Sequence, residues 1–170
     1  ADVLQQLRMS LRGVSRELRR HGIAHGDIQP TNVIVQSATQ LRLIDYDGMF
    51  VPQLAGLQSM ELGQRNFQHS GRRGRHFDAS LDAFAFSLLD LTLHALSRRP
   101  ELWEQSDSDA HAFILRAADI ADPAASPAFS LLASVPELEQ RVRNFAAICA
   151  APFEQVPTFE DFLEGRNVPN

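Results

Sequence analysis

His25-Gly26-Asp27-Ile28-Gln29-Pro30-Thr31-Asn32-Val33-Ile34-Val35, followed closely by Leu41-Arg42-Leu43-Ile44-Asp45-Tyr46-Asp47-Gly48, is the stretch whose reading decides the fold. A loop Asp is followed five residues later by an Asn, then by a short β-branched run. A second β-rich run ends in another Asp. The polar residues Gln36 to Gln40 between the two runs have the length of a hairpin loop. If the runs pair, Asn32 and Asp45 reach the same end of one small hairpin, and Asp27 lies on the loop that enters it. Three oxygen-bearing side chains then converge. Hard cations take oxygen ligands, so this donor set suits one or two such ions together with a phosphate.

Upstream, residues 2 to 21 predict an amphipathic helix. Leu4, Leu7, Leu11, Val14 and Leu18 recur at three- and four-residue spacing, Arg8, Arg12, Arg16 and Arg19 fall largely on other faces, and Gly22 ends it. Downstream, residues 45 to 78 are long, glycine-rich and poorly periodic. A loop of that length in a compact domain is usually functional or mobile. Its Arg72, Arg73, Arg75 and His76 form a basic cluster. The cluster reads either as a solvated loop or as a contact for phosphate or an acidic substrate.

Residues 80 to 97 predict a helix that is apolar nearly all round, as expected of an element in the middle of a domain. Asp90 within it is costly if buried without a partner, and the sequence names none. Further on, Trp103 is expected to pack, and Asp109 to Asp119 to form a short helix carrying Phe113, Ile114 and Leu115. Ser126-Pro127 reads as a helix start, Pro136 as the opening of a helix to about Ala150, and Thr158 with Asp161 as a capping pair.

Composition bounds the remainder. With 170 residues, one domain with a real core is expected, burying roughly 70% of the unfolded surface. A net charge of -5 argues against a nucleic-acid partner. No apolar run approaches the roughly 18 residues that span a bilayer. The single Cys149 cannot form an internal disulfide, which favours a reducing compartment, the cytoplasm. All 16 basic residues are arginine; there is no lysine and no glycine-rich phosphate loop.

The opening stretch resembles the catalytic half of the protein-kinase-like fold. That family's catalytic loop reads His-Arg-Asp with Asn five positions after the Asp, and its metal loop reads Asp-Phe-Gly. Here the first is His25-Gly26-Asp27 with Asn32. The second is Asp45-Tyr46-Asp47, 18 residues after Asp27. Asp82-Ala83-Phe84-Ala85-Phe86-Ser87 is similar to the start of the family's central helix. The resemblance implies a mainly α lobe with a small β-hairpin: catalytic loop 23–32, metal loop 45–48, activation-like segment 45–78 and central helix 80–97. It implies that Asp27 accepts the proton of the attacking hydroxyl. Asn32 and Asp45 would bind Mg2+ with ATP, and His25, Tyr46 and Asp82 would be structural, Asp82 anchoring the catalytic-loop backbone.

The departures matter as well. The phosphate-holding lysine of the family cannot come from this chain. The nucleotide-covering lobe is therefore expected to be missing, and the chain, beginning at Ala1, reads as an inactive fragment with an exposed, self-associating apolar face near Tyr46 and Val33 to Val35. Gly26 replaces an Arg that in many kinases reads activation-loop phosphorylation. Asp47 replaces the metal-loop Gly, as a turn residue or an added metal ligand. Asp45 to Pro52, with Phe67-Gln68-His69, is similar to a group of bacterial kinase-like proteins associated with von Willebrand-type and phosphatase partners. The implied activity is transfer of the ATP γ-phosphoryl group to a protein Ser or Thr hydroxyl. The alternatives are an aminoglycoside- or choline-kinase-like phosphotransferase, which His25-Gly26-Asp27 with Pro30 and Asn32 also resembles, and a pseudokinase interaction module.

Overall fold

The stripe of leucines near the N-terminus becomes one side of a long helix, α1 (Asp2–Arg20), in the computed structural model, which describes residues 2–169. Gly22, at φ 65°, turns the chain out of it; that left-handed conformation is cheap only without a Cβ. The chain then runs through the loop at 23–32 into β1 (Val33–Ser37) and β2 (Gln40–Leu43), an antiparallel pair. The architecture is mainly helical, with this hairpin as the only sheet among the described residues.

The register sets Val33 opposite Leu43 and Val35 opposite Leu41, with an irregularity before Ser37 meets Gln40. The connecting loop is thus shorter than expected. Gln36, Ser37 and Gln40 belong to the strands and only Ala38 and Thr39 turn, because two-residue turns match the twist of paired strands.

The segment 45–78 stays irregular apart from single 3-10 turns at Pro52–Leu54 and Arg65–Phe67. It is nonetheless pinned to the body, with Phe67 fully buried. The apolar helix follows as α2 (Ala83–Arg98) and is the centre of the core, with Leu88, Leu91 and Ala95 sealed from solvent. It starts three residues later than the periodicity suggested, because Ser80 and Asp82 are used in the turn that precedes it.

Around α2 stand α3 (Leu102–Gln105), α4 (Ala117–Ala121), α5 (Pro127–Ala133), α6 (Glu139–Ala150) and α7 (Phe159–Glu164). Aromatic contacts join α6 and α7 to it directly, and α5 through Phe145. Phe84 meets Phe145 at 5.1 Å, Phe145 meets Phe129 and Phe162, and Phe86 stacks on Phe159 at 5.7 Å between centroids. Each such buried ring contributes roughly 1.5–3 kcal/mol relative to exposure. Ser126 caps α5 through Phe129 N–H, and Thr158 caps α7 through Asp161 N–H.

One expectation on this side fails, and one is met only in part. Residues 109–116 are not helical. Asp109 and Ala112 form an isolated bridge, Ile114 sits at φ 63°, and only Ala117–Ala121 is α. Three consecutive apolar residues carry no 3.6-residue period, and here Ile114 and Leu115 are buried by an irregular turn. Trp103 is 38% exposed, resting edge-on against Phe113.

The partner of Asp90 lies on α1. Asp90 is wholly buried, and both Arg8 and Arg12 close on its carboxylate with their guanidinium forks. Arg141 of α6 stands 3.7 Å away. A buried carboxylate needs its charge and lone pairs met, and this cluster does so while clamping α1 to α2. Among the described residues no helix is long and apolar enough to cross a membrane.

Candidate functional site

The loop at 25–32 is built by neighbours far away in sequence. Ala24 pairs with Phe50 in an isolated antiparallel bridge, its N–H reaching Phe50 O at 3.1 Å and the Phe50 N–H returning to Ala24 O at 2.8 Å. Two residues on, Gly26 passes Gly48 so closely that a Cβ on Gly26 would lie 2.2 Å from the Gly48 carbonyl oxygen, and its φ is 85°. Glycine is required there on both counts. This is the physical reason that no arginine stands at this position.

Asp82 holds the same turn from below. It occupies the position before α2 where a carboxylate ordinarily accepts the first N–H groups of its own helix, yet it makes no such cap. Its oxygens instead accept His25 N–H at 2.6 Å and Gly26 N–H at 2.8 Å. Burial pushes its carboxyl pKa up, and those two N–H groups and the charge of Arg72 oppose that.

His25 is fully buried. Its Nδ1 accepts Asp27 N–H at 3.3 Å, so Nε2 carries the proton and donates to Ile44 O at 2.9 Å. The ring thereby ties the loop to the exit of the hairpin, and it lies 5.5 Å from the Tyr46 ring. Tyr46 is half exposed and its hydroxyl donates to Leu43 O at 2.5 Å.

Asp27 and Asn32 are brought together. Asn32 Nδ2 donates to the Asp27 carbonyl and to Asp27 Oδ2, both at 3.0 Å. Gln29 Nε2 also donates to Oδ2, at 2.6 Å, and Gln64 N–H donates to Oδ1 at 2.8 Å. An ionised carboxylate has about four lone-pair sites. Three are taken, which leaves Oδ1 with room for one further donor. Asn32 spends its NH2 on Asp27, and its Oδ1 accepts no hydrogen bond among the described residues.

Asp45 stands beside Asn32 at the end of the hairpin. Val33 pairs with Leu43, and Ile44 N–H donates to Asn32 O at 3.0 Å. Asp45 is exposed, and its carboxylate has no hydrogen bond or ion pair among the described residues. Its φ is 65°, a conformation that costs a non-glycine residue roughly 1–3 kcal/mol and clusters at functional sites. Asp47 lies in the turn at 46–49, closed by Met49 N–H to Tyr46 O.

A free carboxylate at Asp45 and a free amide oxygen at Asn32 are hard donors of the kind Mg2+ takes, and Mg2+ ordinarily keeps its other positions for water and phosphate. Among the described residues no group of three or more His, Cys, Asp or Glu forms a cage. Ile34, Val35 and Tyr46 leave an apolar face beside these groups, at 44%, 54% and 51% exposure.

The sequence assigns no role to Gln29 or Gln64, and it singles out Gln68 and Arg72 without their place beneath the loop. Arg72 is buried and donates through Nη1 to Gly26 O at 2.7 Å and to Gln68 Oε1 at 2.6 Å. The basic cluster is therefore divided. Arg72 supports the loop, while Arg75 and the buried His76 turn away to Glu154. The only signal for Gln29 was its place two residues after Asp27 on a short loop. No protein-family model matches the chain.

Proposed function

We propose that this chain is the catalytic-loop lobe of a protein-kinase-like phosphotransferase, which moves the γ-phosphoryl group of ATP to a protein Ser or Thr hydroxyl with Mg2+. The observation that carries the reading is the Asp27–Asn32 pair, set on a turn whose backbone N–H groups are held by Asp82 at the foot of a buried helix. This arrangement fixes one carboxylate oxygen with a vacant lone pair on rigid support, as a group that must meet an incoming hydroxyl requires.

Asp27 orients that hydroxyl and takes its proton at Oδ1. Gln29 and Asn32 hold the opposite oxygen and fix the carboxylate plane. Asn32 Oδ1 and the Asp45 carboxylate would hold magnesium at the hairpin end. The metal supplies charge neutralisation for the phosphoryl oxygens. His25 keeps the two halves in register through Ile44 O. Since the chain contains no lysine, the cationic clamp on the α- and β-phosphates is not a lysine of these residues.

The test is Mg2+-dependent transfer of labelled γ-phosphate by the full-length gene product, offered proteins and aminoglycosides in parallel. We expect label on protein Ser or Thr, and a kcat reduced about 10²–10⁴-fold by Asp27→Asn. Label appearing only on the small molecules moves the protein to the small-molecule phosphotransferases. Unchanged ATP affinity and turnover in Asp45→Asn refutes the metal role.

A further inference from the structure

Most arginines of this chain have a carboxylate partner. Among the described residues only Arg16, Arg42, Arg65, Arg72 and Arg73 lack one within ion-pair distance. Arg65, Arg72 and Arg73 line a single cavity of about 320 Å3, together with Gln68, His69 and Ser70, and no acidic residue lines it. This concentration of unmatched positive charge occurs in a protein whose net charge is -5.

Arg72 is the centre of the case. It is 3% exposed, and while Nη1 is bonded, its buried Nε and Nη2 have no partner. A guanidinium held out of water with donors unmet is costly, and an anion restores what it lacks. Burial pulls its pKa down, opposed only by the more distant charges of Asp82 and Asp27. His69 adds no charge. Its Nδ1 accepts Gly71 N–H, its Nε2 donates to Ile148 O, and burial lowers its pKa. Arg65 and Arg73 at the rim are exposed, and the Arg73 Nη1 reaches only the backbone carbonyls of Ser70 and Arg72.

We propose that this cavity is an oxyanion-binding subsite that takes a phosphate or carboxylate group. Guanidinium groups match such oxygens two at a time, and Ser70 and Gln68 add neutral donors. Its position gives its use. Gly63 is part of the wall, and a Cβ there would lie 2.7 Å from Asp27 Oδ1; the next N–H, that of Gln64, donates to the same oxygen. Gly63 thus lies both in the wall of the cavity and against the Asp27 carboxylate. The subsite therefore selects acceptors that carry an acidic group close to the reacting hydroxyl. This acceptor role rests on the phosphotransfer reading; the anion site itself does not.

Titrating the protein with inorganic phosphate, and separately with acetate, while following arginine Nε–H resonances by NMR tests the site. A saturable shift of the Arg72 Nε–H with either anion is expected, and which anion acts tells phosphate from carboxylate. Arg65→Ala with Arg73→Ala removes two exposed rim charges and is expected to weaken phosphate binding about tenfold or more, as the loss of charge-assisted hydrogen bonds requires. Arg42→Ala, on β2 and also unpaired, leaves binding unchanged. No saturable shift with either anion up to about 50 mM, where even a millimolar site is nearly full, overturns the subsite, as does equal phosphate affinity in the rim double variant. Anion binding by a protein whose full-length form transfers no phosphoryl group upholds the subsite and overturns the acceptor role alone.

Discussion

Replacing Asp90 by Leu removes the one carboxylate on which Arg8, Arg12 and Arg141 converge, and the cost can be worked from the exposures. The Arg8 side chain is 6% exposed and keeps only Gln5 Oε1 as a side-chain partner once Asp90 is gone. Arg12 and Arg141, each 25% exposed, can turn toward water. The penalty is therefore that of one stranded buried charge, about 3–5 kcal/mol, with little added by the other two. Against a total stability of about 5–15 kcal/mol this is a large fraction. Urea unfolding followed by far-ultraviolet circular dichroism measures it directly. The double variant Arg8→Met/Asp90→Leu has no stranded charge and is expected to recover to within about 1 kcal/mol of wild type, since an apolar pair of similar volume replaces a buried ion pair at little cost. A loss below about 1 kcal/mol in Asp90→Leu, or a double variant no more stable than the single, refutes the reasoning.

Two further outcomes are expected. Gly26→Ala forces a Cβ to 2.2 Å from the Gly48 oxygen at φ 85°; the strained backbone alone costs roughly 1–2 kcal/mol, the clash adds to it, and thermal melting should show a large loss, a near-wild-type melting temperature being the contrary result. His94, placed near Arg141 and Arg8, has its pKa lowered to about 4 by burial first and by those charges second, with Asp90 opposing and Arg98 adding to the lowering. Between about pH 6.5 and 4 the unfolded chain thus binds a proton that the folded one does not, so stability falls as pH falls through this window. An imidazole NMR titration with a midpoint near 6.5 contradicts it; His94→Leu should flatten this limb of the stability curve.

Legibility in the sequence followed how local the cause was. The α1 stripe, the hairpin and α2 each rest on a short-range period or a β-branched run, and their bounds came within three residues. The partners of Asp90 were within reach: Arg8 and Arg12 are four apart and so share a helix face, and an acid inside an apolar helix asks for such a pair. What was absent was any cue to which helix lies along α2. Ile114 shows the opposite failure: an apolar cluster without period suggests a helix, and the chain there is an irregular turn with a left-handed residue. For the candidate site, the sequence located Asp27, Asn32, Asp45 and Asp82 through spacing and resemblance. The supports could not be located that way. Gln64 and Arg72 reach residues 26 and 27 across long separations, from a segment whose composition suggests solvent exposure.

The Ala24–Phe50 bridge has a consequence for how the molecule opens. Residues 25–49, with Asp27, Asn32 and Asp45 among them, form one closed loop gathered at that neck, and the hairpin sits inside it. Closing a loop of this length costs roughly 3 kcal/mol of chain entropy, set against the two backbone bonds of the neck and the grip of Asp82 and His25. The loop is also rooted in the helical core around α2: Ile28 is sealed within it, and Val33, Leu41 and Leu43 pack against it. The loop therefore opens only by drawing Ile28 out of that core, so its opening is coupled to the packing of the helices. Its opening removes Asp27, Asn32 and Asp45 from register together, so these groups are present as a set or not at all.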